Sequence, residues 1–166
     1  MALIQVSSDY LTTSQSSLTL TGIDDNSTYI CVYSINPTNN GDNGRVRFTV
    51  SGSGDSTAKY KWAGMRYSYS ANNPTAGIAY SYIELEDCNN NLNQHCGIIT
   101  LANLFDGAEH SVMEIEQAQM GNTNVLIGLD KQAYLERSIS HNGLQFYYPV
   151  GAVQVESYAV LYKVVQ

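Results

Sequence analysis

The residues in this chain that could do chemistry are few, and they are densest in "ELEDCNNNLNQHCGIITL" (residues 84–101). There Cys88, His95 and Cys96 bracket an Asn-rich run. A structural zinc site takes four nitrogen or sulfur ligands, usually supplied as close pairs. Seven residues separate Cys88 from Cys96, and His110 and His141 lie far off in sequence. The paired-ligand spacing is therefore missing. A disulfide suits a hairpin in which Cys88 ends one strand and Cys96 opens the next, but a reducing cytosol opposes it. The favoured reading is a solvated hairpin tip with both cysteines as small apolar fillers at its base. Cys31, inside "YICVYSI", is expected to be buried.

Other chemistries are weaker still. "NPTNNGDNG" (residues 36–44) offers oxygen ligands of the kind calcium takes. Asp42 is its one carboxylate, however, and Arg45 follows, so a Gly/Asn hairpin loop is expected. Serines and histidines are present without a nucleophile motif such as G-x-S-x-G. Glycosidase-like carboxylate pairs could be drawn from Glu84, Glu86, Asp87, Glu114 and Glu116. On strands, Glu84/Glu86 and Glu114/Glu116 each share a face, and such faces are read as solvated. No Gly-rich loop leads from a strand into a helix to cradle phosphate. No catalytic, cofactor-binding or metal-binding residue is assigned, and neither enzyme activity nor a cofactor is expected.

The elements that must position these residues read as strands. Of 166 residues, 43% are hydrophobic and 14% charged, against the usual quarter or so. That is enough apolar content for one core, with polarity carried by Ser, Thr, Asn, Gln and Gly. Apolar and polar residues alternate with period two in "SLTLT", "STYICVYSIN", "RVRFTVS", "KYKWAGMRYSYS", "AYSYIELE", "GIITLAN", "SVMEIEQAQ", "NVLIGLDKQAYL", "GLQFYY" and "SYAVLYKVV". Clusters such as "GIDDNS", "SGSGDS", "ANNPTAG", "MGNTN" and "SHNG" are the turns between them. About ten strands follow, with a single helical turn around Asn103–Asp106. The fold expected is all-β: one antiparallel β-sandwich over residues 17–166, with residues 1–16 as an N-terminal arm or edge strand.

Charge excludes some partners. The net charge is −7, and no Lys/Arg block is present, so direct nucleic-acid binding is not expected. "MALIQVSSDY" has no basic n-region, and no apolar stretch reaches the roughly 20 residues that span a bilayer. The expectation is a protein without a signal peptide or membrane insertion. Tyr outnumbers Trp and Phe, 13 against one and three. Tyr60, Trp62, Tyr67, Tyr69, Tyr80, Tyr82, Tyr147 and Tyr148 are expected to divide between the core rim and contact surfaces.

One further signal is a resemblance. "LTLTGIDDNSTYICVYSINPTNNGDNGRVRFTVSGSGDSTAKYKW" resembles the opening of small tailed-phage virion proteins of the cyanophage and pelagiphage kind. Gly22–Asp24 match the "GID" turn, Tyr29–Ile35 the Tyr-bearing strand and Pro37–Gly44 the Pro/Asn/Gly loop. Arg45–Ser51 match the next strand, and Gly52–Tyr60 the Gly/Ser lead to a Tyr. The closing "HNGLQFYYPVGAVQVESYAVLYKV" is similar in rhythm. The resemblance implies a jelly-roll-like sandwich that trimerises on a virion. It implies a non-enzymatic structural protein, a capsid decoration (cement) protein bound to the major capsid protein. A tail, baseplate or fibre component serving host attachment is the alternative. The cysteine-bracketed loop is not part of the family pattern.

Overall fold

The structure is a computed structural model. It describes residues 2–39, 41–68, 71–88, 95–105, 110–120, 125–136 and 139–165, apart from the side chains of Asp87 and Cys88. Among the described residues there is no helix. The described residues form thirteen strands in two antiparallel sheets packed as a sandwich.

The larger sheet has the order β1 (Ala2–Tyr10), β13 (Tyr158–Val165), β3 (Tyr29–Ile35), β9 (His95–Ala102), β10 (Ser111–Met120), β11 (Leu126–Leu135), β6 (Tyr60–Ser68), β7 (Asn72–Tyr80). The smaller sheet runs β2 (Ser17–Thr21), β12 (Gly143–Tyr147), β4 (Asp42–Val50), β5 (Ser53–Gly54), and β8 (Ile83–Cys88) pairs with the first half of β4.

Period-two patterning decides which face each strand buries. On β10, Ser111, Met113, Ile115, Gln117 and Gln119 are buried, while Val112, Glu114, Glu116 and Ala118 are exposed. Between the sheets, Val46, Phe48, Leu144 and Phe146 of the small sheet meet Tyr33, Cys31, Met113 and Leu135 of the large one in a single core. The Tyr33 and Phe146 rings lie 4.9 Å apart across that interface. Cys31 is buried as its strand pattern implied, and burial pushes its thiol pKa up.

Four expectations change. The helical turn around Asn103–Asp106 is absent over Asn103–Phe105, where the chain bends with Asn103 at φ 56°; Asp106 lies outside the described residues. An isolated helical turn fixes several dihedrals for one hydrogen bond, and Asn is among the residues best able to adopt the left-handed region instead. "ANNPTAG", read as a turn, supplies most of β7. Pro74 is tolerated there because β7 is an edge strand, with one side of its backbone unpaired. "AYSYIELE", read as one strand, breaks at Ser81–Tyr82 between β7 and β8. Asp42, placed in a hairpin loop, begins β4 and is buried, where its carboxylate accepts from the Gly151 N–H at 2.9 Å.

Residues Ala2–Tyr10 form an edge strand paired with β13, with Val6 packed against the core and Leu3, Ile4 and Tyr10 more than half exposed. Leu11, just after it, is buried in the core.

Phe146 is fully buried against Tyr33 between the sheets. Phe146→Ala is expected to lower unfolding free energy by about 3–5 kcal/mol, measured by urea denaturation.

Candidate functional site

The residues flagged by sequence separate in space. β8 belongs to the small sheet and β9 to the large one, so the Cys88–Cys96 segment crosses between sheets and is not a hairpin. Residues 89–94 and the Cys88 side chain lie outside the described residues, and the disulfide question falls there. Cys96 is exposed, with its Sγ 3.2 Å from Ser34 Oγ. His95 points the other way, into the core.

Both His95 ring nitrogens are engaged. Nε2 lies 3.1 Å from the Glu86 carbonyl and Nδ1 lies 2.8 Å from the Tyr148 hydroxyl. A carbonyl only accepts, so Nε2 carries the proton and Nδ1 accepts from Tyr148. Burial pushes the His95 pKa down to about 4, against a smaller opposing effect of the Glu86 carbonyl.

Glu86 is the hub of this region. Its φ of 66° marks an irregular turn of β8, and the β4–β8 register slips close by. Rather than sharing a solvated face with Glu84, its carboxylate lies 3.2 Å from Lys131 Nζ and 3.7 Å from Arg66 Nε. Lys131 is fully buried, sits 4.1 Å from the Trp62 ring centroid and donates to the Glu84 carbonyl at 2.6 Å. Burial lowers its pKa, and Glu86 opposes that shift. Gln117 Nε2 donates to the Leu85 carbonyl at 2.7 Å, and Gln117 Oε1 accepts from Tyr33 at 2.5 Å. Three successive β8 carbonyls, of Glu84, Leu85 and Glu86, are thus held by side chains from β11, β10 and β9. Gly77 completes the packing: a Cβ there would stand 2.4 Å from Trp62 Cε2.

Sequence reasoning missed a second cluster. Ser111 Oγ lies 2.7 Å from His141 Nδ1, and His141 Nε2 lies 3.4 Å from Asp55 Oδ2. These are the residue types of a hydrolytic triad. Here Ser111 and His141 are fully buried, and Ser111 also donates to the Asn103 carbonyl at 3.3 Å. Substrate does not reach such a hydroxyl, and the cluster ties the β5 turn to β10.

The accessible candidate is the outer face of the large sheet. Register aligns Val32, Ile98, Glu116, Asp130 and Met65 in one row, and Ala102, Val112, Tyr134, Lys61 and Ile78 in another. Val32, Ile98, Val112, Tyr134 and Ile78 are all exposed; Ile78 reaches 74%. At the β7 end this face hollows into a groove of about 810 Å³, floored by Ala63, Ala76 and Gly77. Tyr134 stands in its wall, stacked on His110 at 6.0 Å, and the Lys61–Glu136 ion pair (2.7 Å) is at its rim. Tyr60 and Tyr148 are buried, whereas Tyr67 and Tyr80 are exposed; Tyr69 lies outside the described residues.

Two outcomes are expected. Glu86→Ala should cost about 3–5 kcal/mol because it leaves the Lys131 ammonium buried without its carboxylate. Adding Lys131→Met should recover part of that loss, and additive losses in a denaturation cycle would contradict the pairing. For His95, the folded pKa of about 4 lies below the unfolded value of about 6.5. The unfolded chain therefore binds the extra proton between those values. The stability from His95 is fully present above pH 6.5 and is lost as pH falls toward 4, by about 3 kcal/mol. Melting temperature against pH should show that slope in the native chain and lose it in His95→Gln.

Compared with protein-family models, curated proteins and solved structures, the chain matches none.

Proposed function

We propose that this chain is a non-enzymatic virion structural protein, a capsid decoration protein on the outer surface of a tailed-phage head. The observation that carries the reading is the outer face of the large sheet, with its rows of exposed Val, Ile and Tyr side chains. Large apolar side chains gathered on one exposed sheet face, beside charged ones, suit a place where another protein lies. The sequence resemblance names the assembly, and the low charge content suits a face that is covered after docking. In this reading the partners are the major capsid protein and two further copies of the chain. The exposed edges β1 and β7 supply unpaired backbone for contacts within the trimer.

The groove beside Tyr134 favours a second reading, a tail or fibre component in host attachment. Its apolar floor and polar rim are the composition of a small-ligand site.

Quantitative mass spectrometry and label-based electron microscopy of purified particles separate the two. A copy number matching the capsid lattice, with label over the head, is the expected result. Label confined to the tail at low copy number would favour attachment. Absence from the particle would overturn both.

A further inference from the structure

On the outer face of the small sheet, the outward positions of β4 include Arg45 and Arg47. The Arg45 guanidinium lies 3.8 Å from the Tyr82 ring centroid, and that of Arg47 lies 4.6 Å from the Tyr147 ring centroid. Arg47 is locked by Gln145 Oε1, which accepts from Nε at 2.8 Å and Nη2 at 2.6 Å. Gly54 lies so close that a Cβ there would stand 2.1 Å from Arg47 Nε. Both guanidinium groups are thus held against tyrosine rings.

Neither has a carboxylate partner among the described residues. The ion pairs take up Lys61, Arg66, Lys131 and Lys163. Glu84, the register partner of Arg45, accepts instead from Asn43 Nδ2 at 2.6 Å. Arg45 Nε is buried without a hydrogen bond. Among the described residues, Arg45 and Arg47 thus make no ion pair within the chain.

The matching anions stand on the opposite face of the sandwich. Glu114 and Glu116 are exposed on β10, and Asp130 of β11 lies directly across from Glu116. Like charges opposed across a strand pair are destabilising, and no cation offsets these among the described residues. Arg45/Arg47 and Glu114/Glu116 are each two residues apart on a strand, so both pairs have the same spacing of about 6.6–6.8 Å. Tyr82 and Tyr147 flank the arginines, and Ile98 and Val112 flank the carboxylates.

We propose that the Arg45/Arg47 face of one copy docks on the Glu114/Glu116/Asp130 face of the next. The contact is heterologous, and its two halves look away from each other across the sandwich. Successive copies therefore stack as an open string, unlike a closed trimer joined at sheet edges. The inference does not rest on the virion reading, and it places a second copy on the outer face which that reading gives to the capsid.

Sedimentation of the full chain from micromolar to millimolar concentration in low salt tests it. The expected mass rises with concentration. It falls back by at least about tenfold in apparent affinity near 1 M salt, where screening acts within about 3 Å. The variants R45E/R47E and E114K/E116K should each stay dispersed alone, and their mixture should re-form alternating strings. Far-UV spectra and melting curves establish that each variant is folded; if the first is not, R45Q/R47Q replaces it, and its mixture with E114K/E116K should then stop at two-copy complexes. The proposal is overturned by a native chain that stays a single copy, or by association that ignores salt and both charge swaps. It is equally overturned by folded variants that fail to recombine. A trimer insensitive to these changes would leave the virion reading standing while removing this contact.

Discussion

Carbonyls on β8 that turn toward the interior need donors, and three buried side chains supply them. Among the described residues, β8 pairs with β4 alone. A buried carbonyl left unpaired costs about 1–3 kcal/mol. Lys131, Gln117 and His95 each cap one of three in succession. Lys131 lies opposite Ile115, Gln117 is two residues further along β10 and opposite Gly97, and His95 is two residues further along β9. The donors therefore step diagonally over three strands, and β8 lies obliquely across them. That arrangement fixes the register of one sheet against the other, which apolar contacts alone would leave less defined. It also requires Glu86 to turn inward, because a buried ammonium without a carboxylate is costly.

The exterior of the fold was legible in the sequence, and the interior was less so. Strands such as β10 and β11 follow period-two patterning closely, and the two-sheet sandwich follows from them. β7 escaped because Asn, Pro and Gly normally announce turns, yet an edge strand exposed on both faces tolerates them. The buried polar residues were missed for a different reason. Lys131 occupies the inward register of β11 with Ile127, Leu129, Ala133 and Leu135, and Gln117 and Gln119 do the same on β10. A charge in an apolar register is a visible signal, but its partner is a backbone carbonyl over 40 residues away. Sequence separation hides such a partner. Asp55, His141 and Ser111 are likewise unmarked by spacing, because the fold alone brings them together.

Charge is scarce in this chain, so its placement carries information. The ion pair with Lys131 lies inside and serves the inter-sheet lock. Lys163, at the β13 end, donates to Asp24 and Asp25, which closes the turn before β3. Asp25 is held well below the usual carboxylate range by Lys163 and by the Ser27 N–H. These pairs satisfy local geometry and leave little unbalanced. The arginine and glutamate rows differ, because each repeats one sign along a strand and neither makes an ion pair among the described residues.

Two sheets of unequal width also leave unequal surfaces. The core needs only one face of each, and the eight-stranded sheet exposes far more outer face than the five-stranded one. Ordinary solubility could be met by placing Lys and Glu across it. Glu114, Glu116 and Asp130 do stand there, yet Val32, Ile98, Val112 and Tyr134 also occupy outward positions on its adjacent strands. Branched and aromatic residues there do favour strand pairing through cross-strand contacts, by roughly 0.2–1 kcal/mol per pair. That gain is small beside the aggregation hazard of an apolar face left open to water. A covering partner of the kind proposed above would remove the hazard and keep the gain.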